Sequence, residues 1–254
     1  ATSDGDVRQN ALSDFTNVMR NGKIAMKLPE GVELVNARIC DENDDIMLVT
    51  AKGRAIRFPT TEVRVFKSRG STGVRGIRLG AGDKVVSMSV VRHFEASSDE
   101  RIAYLKMRRA QAGVDDAADA GDDEEDGVDM ALDQARFDEM QAAEDLILTI
   151  TAKGAGKISS SHGYPVRGRG GLGVMAMDKA MRGGELVASF PVALDDQIML
   201  ATSTGQSIRC PVAGISFRSR SAGGVKVFDT ARGEFVVSVA RIADQNDEDE
   251  GADS

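Results

Sequence analysis

Pairs of cationic residues recur in three short loops of the sequence, and each pair is followed by small residues and a glycine. The loops read Lys67-Ser-Arg69-Gly-Ser-Thr-Gly73, Arg167-Gly-Arg169-Gly-Gly-Leu-Gly173 and Arg218-Ser-Arg220-Ser-Ala-Gly-Gly224. Because side chains at i and i+2 of an extended chain point to the same side, both cations of a pair are predicted to face one line of phosphates. Small neighbours let a nucleic acid backbone approach and leave main-chain amides available to its phosphate oxygens. Paired surface cations are common, but three equivalent pairs predict a DNA-binding edge.

Each of these basic loops lies inside a predicted unit of four short strands. The complete unit has strands at Ile46–Ala51, Arg54–Phe58, Gly73–Leu79 and Lys84–Val91, with a basic loop between the second and the third. Lys52 and Gly53 form the first turn, where glycine supplies the positive φ that a two-residue hairpin needs. The unit is therefore predicted to be a four-stranded antiparallel sheet.

Landmarks of this unit return along the chain at intervals of about 40 to 50 residues. The turn Thr-x-x-Gly appears four times, at Thr2/Gly5, Thr50/Gly53, Thr151/Gly154 and Thr202/Gly205. A second glycine follows each turn after 17 to 20 residues, at Gly22, Gly73, Gly173 and Gly224. Four strands per repeat predict an all-β, propeller-like array.

The landmarks divide the chain into four predicted blades, an insertion and a tail. The blades are assigned to residues 1–45, 46–92, 146–194 and 195–242, the insertion to 93–145 and the tail to 243–254. Because a hairpin turn stands at the very start, the first blade lacks its first strand. We therefore expect the chain to be a piece of a longer protein.

The insertion combines two predicted helices with an acidic run. A capping serine, Ser98, early acids and late bases predict a helix that ends near Ala112, and residues 130–143 predict a second one. Residues 115–129 carry nine acids and no base, which predicts disorder, as in the acidic tail. This run is either a solvated linker or an electrostatic competitor that folds over the basic edge.

The net charge of −8 conceals a strong segregation of charge. Residues 93–145 carry 5 Lys and Arg against 17 Asp and Glu, and residues 243–254 carry none against 6. The remaining repeats carry 27 against 17, so the predicted blades are basic. Such asymmetry predicts an anionic partner for the blades. Further candidate contacts in the blades are Arg20, Lys23, Arg75 and Lys226.

Composition favours duplex DNA held by its phosphates. The chain has no Trp and 4% aromatic residues, which disfavours stacking platforms for single strands, and it has no recognition-helix motif. Affinity would come from counterion release, and any sequence preference from DNA deformability. No apolar run reaches 18 residues, so no membrane partner is expected. The two cysteines show no metal-ligand spacing and suit a reducing cytoplasm.

Several other residues that could do chemistry have simpler interpretations. His93 and His162 stand without ligand-spaced carboxylates or thiols and are predicted to be surface or loop residues. Cys210 occupies the position of Phe58 and is predicted to be buried, while methionines such as Met47 are predicted to fill the core. No catalytic or metal-binding residue is assigned.

Three segments resemble the C-terminal domain of the DNA gyrase A protein. They are Thr72-Gly-Val-Arg-Gly-Ile-Arg-Leu-Gly-Ala-Gly-Asp-Lys-Val-Val-Ser87, Asn21-Gly-Lys-Ile-Ala-Met-Lys-Leu28 and Ala11-Leu-Ser-Asp-Phe15. The resemblance extends over all four repeats. It implies a β-pinwheel, in which neighbouring blades exchange strands, and a domain that wraps duplex DNA around a basic perimeter so that ATP hydrolysis introduces negative supercoils.

The resemblance also implies what this segment leaves to other parts of a complex. The catalytic tyrosine belongs to the N-terminal region of the gyrase A protein, so neither Tyr104 nor Tyr164 is a candidate nucleophile. ATP and magnesium belong to the gyrase B protein of an A2B2 complex, and this segment is expected to need no cofactor. A nucleoid-associated, cytoplasmic location follows.

Two departures keep other functions open. The family has six blades and this chain supplies about four, and the family's Gln-Arg-Arg-Gly-Gly-Lys-Gly box is absent. The corresponding domain of topoisomerase IV, which senses DNA geometry without strong wrapping, is therefore an alternative. A propeller that serves as a protein-interaction scaffold is the other.

Overall fold

The computed structural model describes residues 1–67, 70–113, 131–178 and 183–242. The strands in chain order are β1 Asp6–Val7, β2 Asp44–Thr50, β3 Arg54–Pro59, β4 Val74–Arg75, β5 Val85–Arg92, β6 Leu146–Thr151, β7 Ala155–Ser160, β8 Val174–Met175, β9 Leu186–Val192, β10 Gln197–Thr202, β11 Ser207–Pro211, β12 Val225–Lys226 and β13 Val236–Ile242. The helices are α1 Ser98–Gln111 and α2 Gln134–Ala142. The predicted all-β class is confirmed.

In repeats two, three and four, the third strand belongs to the sheet of the repeat before it. β8 pairs with β3 to complete the sheet β5-β2-β3-β8, and β12 pairs with β7 to complete β9-β6-β7-β12. In the same way β4 pairs with β1 of the first repeat. This exchange is the pinwheel arrangement that the family resemblance implies. The expected third strand of seven residues was wrong, because only two residues of it pair.

The hydrophobic core lies between blades. Met47 and Val49 of β2 pack with Ile147 of β6 in one cluster, whereas Ile46 and Leu48 on the opposite face of β2 pack towards the first repeat. Side chains alternate across a strand, so the sheet built around β2 buries both faces. The fourth strands β5, β9 and β13 of successive blades lie side by side. The repeats therefore share one continuous architecture.

The last sheet ends with one open face and one open edge. Met199 has 41% of its surface exposed, whereas the corresponding Met47 has 1%. Cys210 pairs with Ile198 as Phe58 pairs with Ile46, which confirms the equivalence of the two positions. Cys210 is only half-buried, however, because no described strand pairs with the outer edge of β11. The expectation of full burial was wrong for that reason.

The two helices of the insertion form a small unit, called here the helical module. Ser97 accepts from the amide of Glu100, and Glu100 accepts from the amide of Ser97, so α1 starts with a capping box one residue before the expected serine. Asp133 caps α2. Tyr104 of α1 stacks on Phe137 of α2 with ring centroids 5.0 Å apart. The acidic run 115–129 and the acidic tail lie outside the described residues.

His162 anchors the helical module to the third blade. Its ring meets Tyr104 edge to face at 4.9 Å, and its Nε2 lies 2.8 Å from the carbonyl oxygen of Met140. His162 is buried, so the prediction of a surface or loop position was wrong in its burial. His93 is half-buried, with its Nδ1 2.8 Å from Asp45. Burial raises the pKa of Tyr104, and nearby Glu144 adds to that shift.

The glycines before the exchanged strands of repeats two, three and four lie close to the preceding blade, whereas Gly22 of the first repeat has no atom within 4 Å of its would-be Cβ. A Cβ on Gly173, whose φ is +69°, would lie 2.2 Å from the carbonyl oxygen of Ala55. A Cβ on Gly73, at φ +110°, would lie 2.4 Å from that of Val7. Only glycine allows the exchanged strand to lie so close to its host.

Gly173→Ala should therefore lower the free energy of unfolding more than Gly205→Ala does. Gly205 has a φ of +87° but no atom within 4 Å of its would-be Cβ. Its substitution therefore measures only the cost of placing a side-chain-bearing residue at a positive φ. We expect about 1–2 kcal/mol for Gly205→Ala and roughly 1–3 kcal/mol more for Gly173→Ala. Urea unfolding measures both. Equal losses would contradict the close approach.

Docking of the helical module should weaken at acidic pH through His162. Burial lowers the pKa of His162 and Arg57 adds to this, while the Met140 carbonyl, Glu144 and Asp145 oppose it. Below the ordinary pKa of 6.5, His162 binds a proton more readily in the unfolded chain than in the folded chain. The free energy of unfolding therefore keeps its full His162 contribution above this pH and decreases as the pH falls below it.

The expected result is that the stability advantage of the wild type over His162→Gln shrinks between about pH 7.5 and pH 5.5 and stays constant between about pH 7.5 and pH 8.5. Urea unfolding at the three pH values measures it. A difference that does not change with pH would contradict the assignment.

Candidate nucleic-acid interface

Each basic loop is attached to the outer strand of the preceding blade. Val166 forms a parallel bridge with Arg57, and Phe217 forms one with Ile158. The amide of Arg167 donates to the carbonyl of Arg57 at 2.9 Å, and the amide of Arg218 donates to that of Ile158 at 2.8 Å. The loops of repeats three and four therefore start at equivalent places on successive blades.

The other end of each loop is fixed at the hairpin turn of the same neighbouring blade. The amide of Ala176 donates to the carbonyl of Gly53 at 2.8 Å, and the amide of Val227 donates to that of Gly154 at 2.9 Å. Each loop thus spans the outer edge of the preceding sheet between two main-chain attachments. Strand exchange therefore determines where the loops of repeats three and four lie on the preceding blade.

The cations of the basic loops differ in exposure from one loop to the next. The first cations are Lys67, Arg167 and Arg218, and the second cations are Arg69, Arg169 and Arg220. Lys67, Arg167 and Arg169 are exposed, while Arg218 and Arg220 are more enclosed. Arg169 donates from Nε to Glu62 O at 2.9 Å and from a terminal nitrogen to Arg75 O at 3.1 Å. Arg69 lies outside the described residues.

Arg220 repeats this arrangement one blade further on. It donates from Nε to Gly163 O at 2.7 Å and from a terminal nitrogen to Met175 O. The side chains of both Arg169 and Arg220 are thus engaged with main-chain carbonyls of the preceding blade. The i and i+2 spacing could not reveal this, because the carbonyls come from distant parts of the sequence.

Sequence reasoning missed a lysine beneath the basic loop of repeat four. Lys157 of β7 is fully buried, and its Nζ donates to the carbonyls of Ser219 at 2.8 Å, Ala222 at 2.7 Å and Arg220. A buried ammonium requires such compensation. The only available signal was a single cation among small and apolar residues in a predicted inner strand.

A buried arginine plays a related part between repeats two and three. Arg57 pairs with buried Asp45 at 2.7 Å, and it donates to Ser161 O at 2.9 Å and to Arg92 O at 2.7 Å. Ser161 begins the turn that leads into the basic loop of repeat three. Main-chain carbonyls near the basic loops of repeats three and four are therefore held by cations from the blade before.

The remaining predicted contacts occupy varied surroundings. Arg20 and Lys23 are exposed in the first repeat, and Lys23 donates to Asp14 O. Arg75 lies 3.2 Å from Asp6, whose pKa burial raises while Arg75 opposes that shift. Lys226 pairs with Asp229 at 2.5 Å, and both side chains are largely exposed. Such exposed pairs contribute little to stability and leave their cations accessible to solvent.

The helical module lies against the basic loop of repeat four. The guanidinium carbon of Arg108 sits 4.7 Å from the ring centroid of Phe217, immediately before Arg218. Leu105 and Arg109 of α1 line a small cavity together with Arg218 and Arg220. The module therefore covers part of this loop, which accounts for the enclosure of its arginines.

The described residues contain no cluster of three or more potential metal ligands, and no described helix is long and apolar enough to cross a membrane. Among the described residues, the cationic loops carry side chains that could recognise an anionic ligand.

Comparisons with known proteins agree with the fold. The family described as DNA gyrase C-terminal domain, beta-propeller, matches residues 2–41, 44–92, 145–192 and 196–243. The DNA gyrase A protein of Granulibacter bethesdensis is 44% identical over all of this chain and 28% of its own length. That of Rickettsia bellii is 40% identical over 98% of this chain and 27% of its own length. The chain therefore spans less than a third of these relatives.

Two solved structures share the architecture. A DNA gyrase A C-terminal domain superposes with a TM-score of 0.66 at 20% identity, covering 96% of this chain and 64% of that one. A DNA topoisomerase IV C-terminal domain superposes with a TM-score of 0.69 at 19% identity, covering 95% and 60%. At these identities the likeness concerns the fold alone. The four matched repeats, the exchanged strands and the relatives' full coverage of the sequence place this chain in the DNA gyrase C-terminal domain family.

Proposed function

We propose that this chain binds and wraps duplex DNA through the basic loops at the periphery of its blades, as the C-terminal part of a gyrase A protein. Membership of the family carries the proposal. It is supported by the recurrence of cationic loops at equivalent edges of successive blades and by the excess of positive charge on the repeats.

The recognition chemistry would be phosphate contact without base readout. The first cations Lys67, Arg167 and Arg218 would neutralise phosphates, with Arg20 and Lys23 extending the track onto the first repeat. Counterion release supplies affinity that is independent of sequence. Bending the duplex costs free energy that depends on its deformability, so modest preferences would arise without contact to base edges.

The larger assembly would supply the chemistry that this segment lacks. Strand cleavage would reside in the N-terminal region of the gyrase A protein, and ATP with magnesium would bind the gyrase B protein of an A2B2 complex. Wrapping on this domain would present a positive DNA crossing to the strand-passage gate, so that ATP hydrolysis introduces negative supercoils. Such a domain would act in the cytoplasm, associated with the nucleoid.

A topoisomerase IV-like role is the second candidate, because the fold is shared by both kinds of domain and does not distinguish their roles. That role would consist of sensing DNA geometry while bending the duplex little. The two roles differ in the topology that the bound protein imposes on DNA, and a protein-interaction scaffold would impose none.

Replacing two first cations should weaken binding to all sequences alike. We expect Arg167→Ala with Arg218→Ala to raise the Kd for duplex DNA roughly tenfold at low salt. The plot of log binding constant against log salt concentration should become shallower by about 2, one for each lost phosphate contact. The measurement is fluorescence anisotropy with duplexes of several sequences.

The matched control is Lys153→Ala with Lys52→Ala, which removes two exposed lysines from hairpin turns outside the basic loops. These substitutions should leave the salt slope nearly unchanged. Losses confined to particular sequences, or equal losses in the control, would contradict phosphate contact through the loops.

Ligation of nicked minicircles with the protein bound separates the three functions. Wrapping should shift the linking number in proportion to bound protein, geometry sensing should shift it little, and a scaffold should leave it unchanged. The absence of any shift at saturating protein would overturn the proposed wrapping.

A further inference from the structure

The second cations Arg169 and Arg220 each connect two blades. Arg169 of repeat three reaches carbonyls of Glu62 and Arg75 in repeat two, and Arg220 of repeat four reaches those of Gly163 and Met175 in repeat three. In each case Nε serves one carbonyl and a terminal nitrogen serves the other. The rigid fork of the guanidinium is suited to two acceptors held at a fixed separation.

The acceptors are the same two positions of the preceding blade in both cases. Glu62 and Gly163 each end the 3-10 turn that follows the second strand. Arg75 and Met175 each end the exchanged strand, β4 or β8. Each arginine therefore joins a turn of the preceding blade to the exchanged strand that this blade has donated. We call Arg169 and Arg220 the clasps, and their geometry recurs in two successive blade pairs.

The loop that carries each clasp is itself held by its neighbour. Lys157 donates to the carbonyls of Ser219, Arg220 and Ala222, and Gly170 donates its amide to Gly76 O at 2.6 Å. A side chain on a loop fixed in this way transmits force from one blade to the next. Free rotation between blades is therefore restricted at the periphery as well as at the strands β5, β9 and β13.

We propose that Arg169 and Arg220 are positioning residues that set the angle between successive blades, and with it the curvature imposed on a wrapped duplex, while Arg167 and Arg218 hold phosphates. This inference rests on the proposed function. DNA is stiff over the length of a few blades, because its persistence length is about 150 bp. A protein can bend such a duplex only through a rim that resists straightening. The clasps therefore determine the curvature of the DNA, and the first cations determine its affinity.

The experiment compares two double variants in the whole chain. Arg167→Gln with Arg218→Gln removes the first cations, and Arg169→Gln with Arg220→Gln removes the clasps, at the same cost in charge. Binding to a duplex of about 12 bp, too short to be wrapped, should weaken roughly tenfold in the first variant and stay within about twofold of wild type in the second.

Minicircle ligation at saturating protein should give the opposite order. The linking-number shift per bound chain should fall by at least about half in the clasp variant and stay near the wild-type value in the first-cation variant. If the clasp variant instead weakens short-duplex binding like the other and keeps its linking-number shift, Arg169 and Arg220 are phosphate contacts and the proposal is overturned.

A measurement without DNA keeps this inference separate from the proposed function. Spin labels at Lys52→Cys and Lys153→Cys, equivalent exposed turn positions of adjacent blades, report the blade-to-blade distance in a Cys40→Ser, Cys210→Ser background. Arg169→Gln alone should broaden the distance distribution, and Arg167→Gln alone should not. An unchanged distance distribution in Arg169→Gln would overturn the clasp, even if the wild-type protein wraps DNA. If the wild-type protein fails to shift the linking number, the proposed wrapping is overturned and the clasp is not.

Discussion

The blades built around β2 and β6 depend on the next repeat for the outer strand of their sheets. The edge of β3 or β7 would otherwise expose unpaired amides and carbonyls, which sheets rarely leave open. A strand of only two residues, β8 or β12, is enough to satisfy this edge because its loop is attached on both sides. Since the loop must cross the neighbour's outer edge to deliver that strand, strand exchange requires a loop at this edge.

Main-chain carbonyls provide many of the polar contacts between blades. Arg57, Lys157, Arg169 and Arg220 all direct their cationic groups to carbonyl oxygens of an adjacent repeat. Hydrogen bonds from charged donors are stronger than neutral ones, and carbonyls remain as acceptors whatever side chain occupies the position. The repeats can therefore differ in sequence while keeping the same connections, and cations that resemble DNA contacts in the sequence hold the blades together.

Much of the architecture could be predicted from the sequence because the repeat carries it. The turns at Gly53 and Gly154 and the equivalence of Cys210 with Phe58 follow from local landmarks, and the structure confirms them. The partner of the third strand, the burial of His162 and the carbonyl contacts of Arg169 could not be predicted from periodicity. They depend on which repeat lies alongside, and only the family resemblance indicated exchange.

Docking of the helical module also escaped local reasoning. Its helices were predictable from caps and charge, but their docking needed Phe217 and His162, which come from two other repeats. Because the module touches the loop that carries Arg218, the described helices of the insertion lie beside a cationic segment.

Hydroxyl-radical footprinting of a long duplex on the whole chain tests the central claim most directly, namely that successive basic loops form one continuous seat for bent DNA. A wrapped duplex should show protection that recurs about every 10 bp along a continuous stretch, because the same face of the helix meets the protein once per turn. A single short protected patch, or protection without periodicity, would contradict the account.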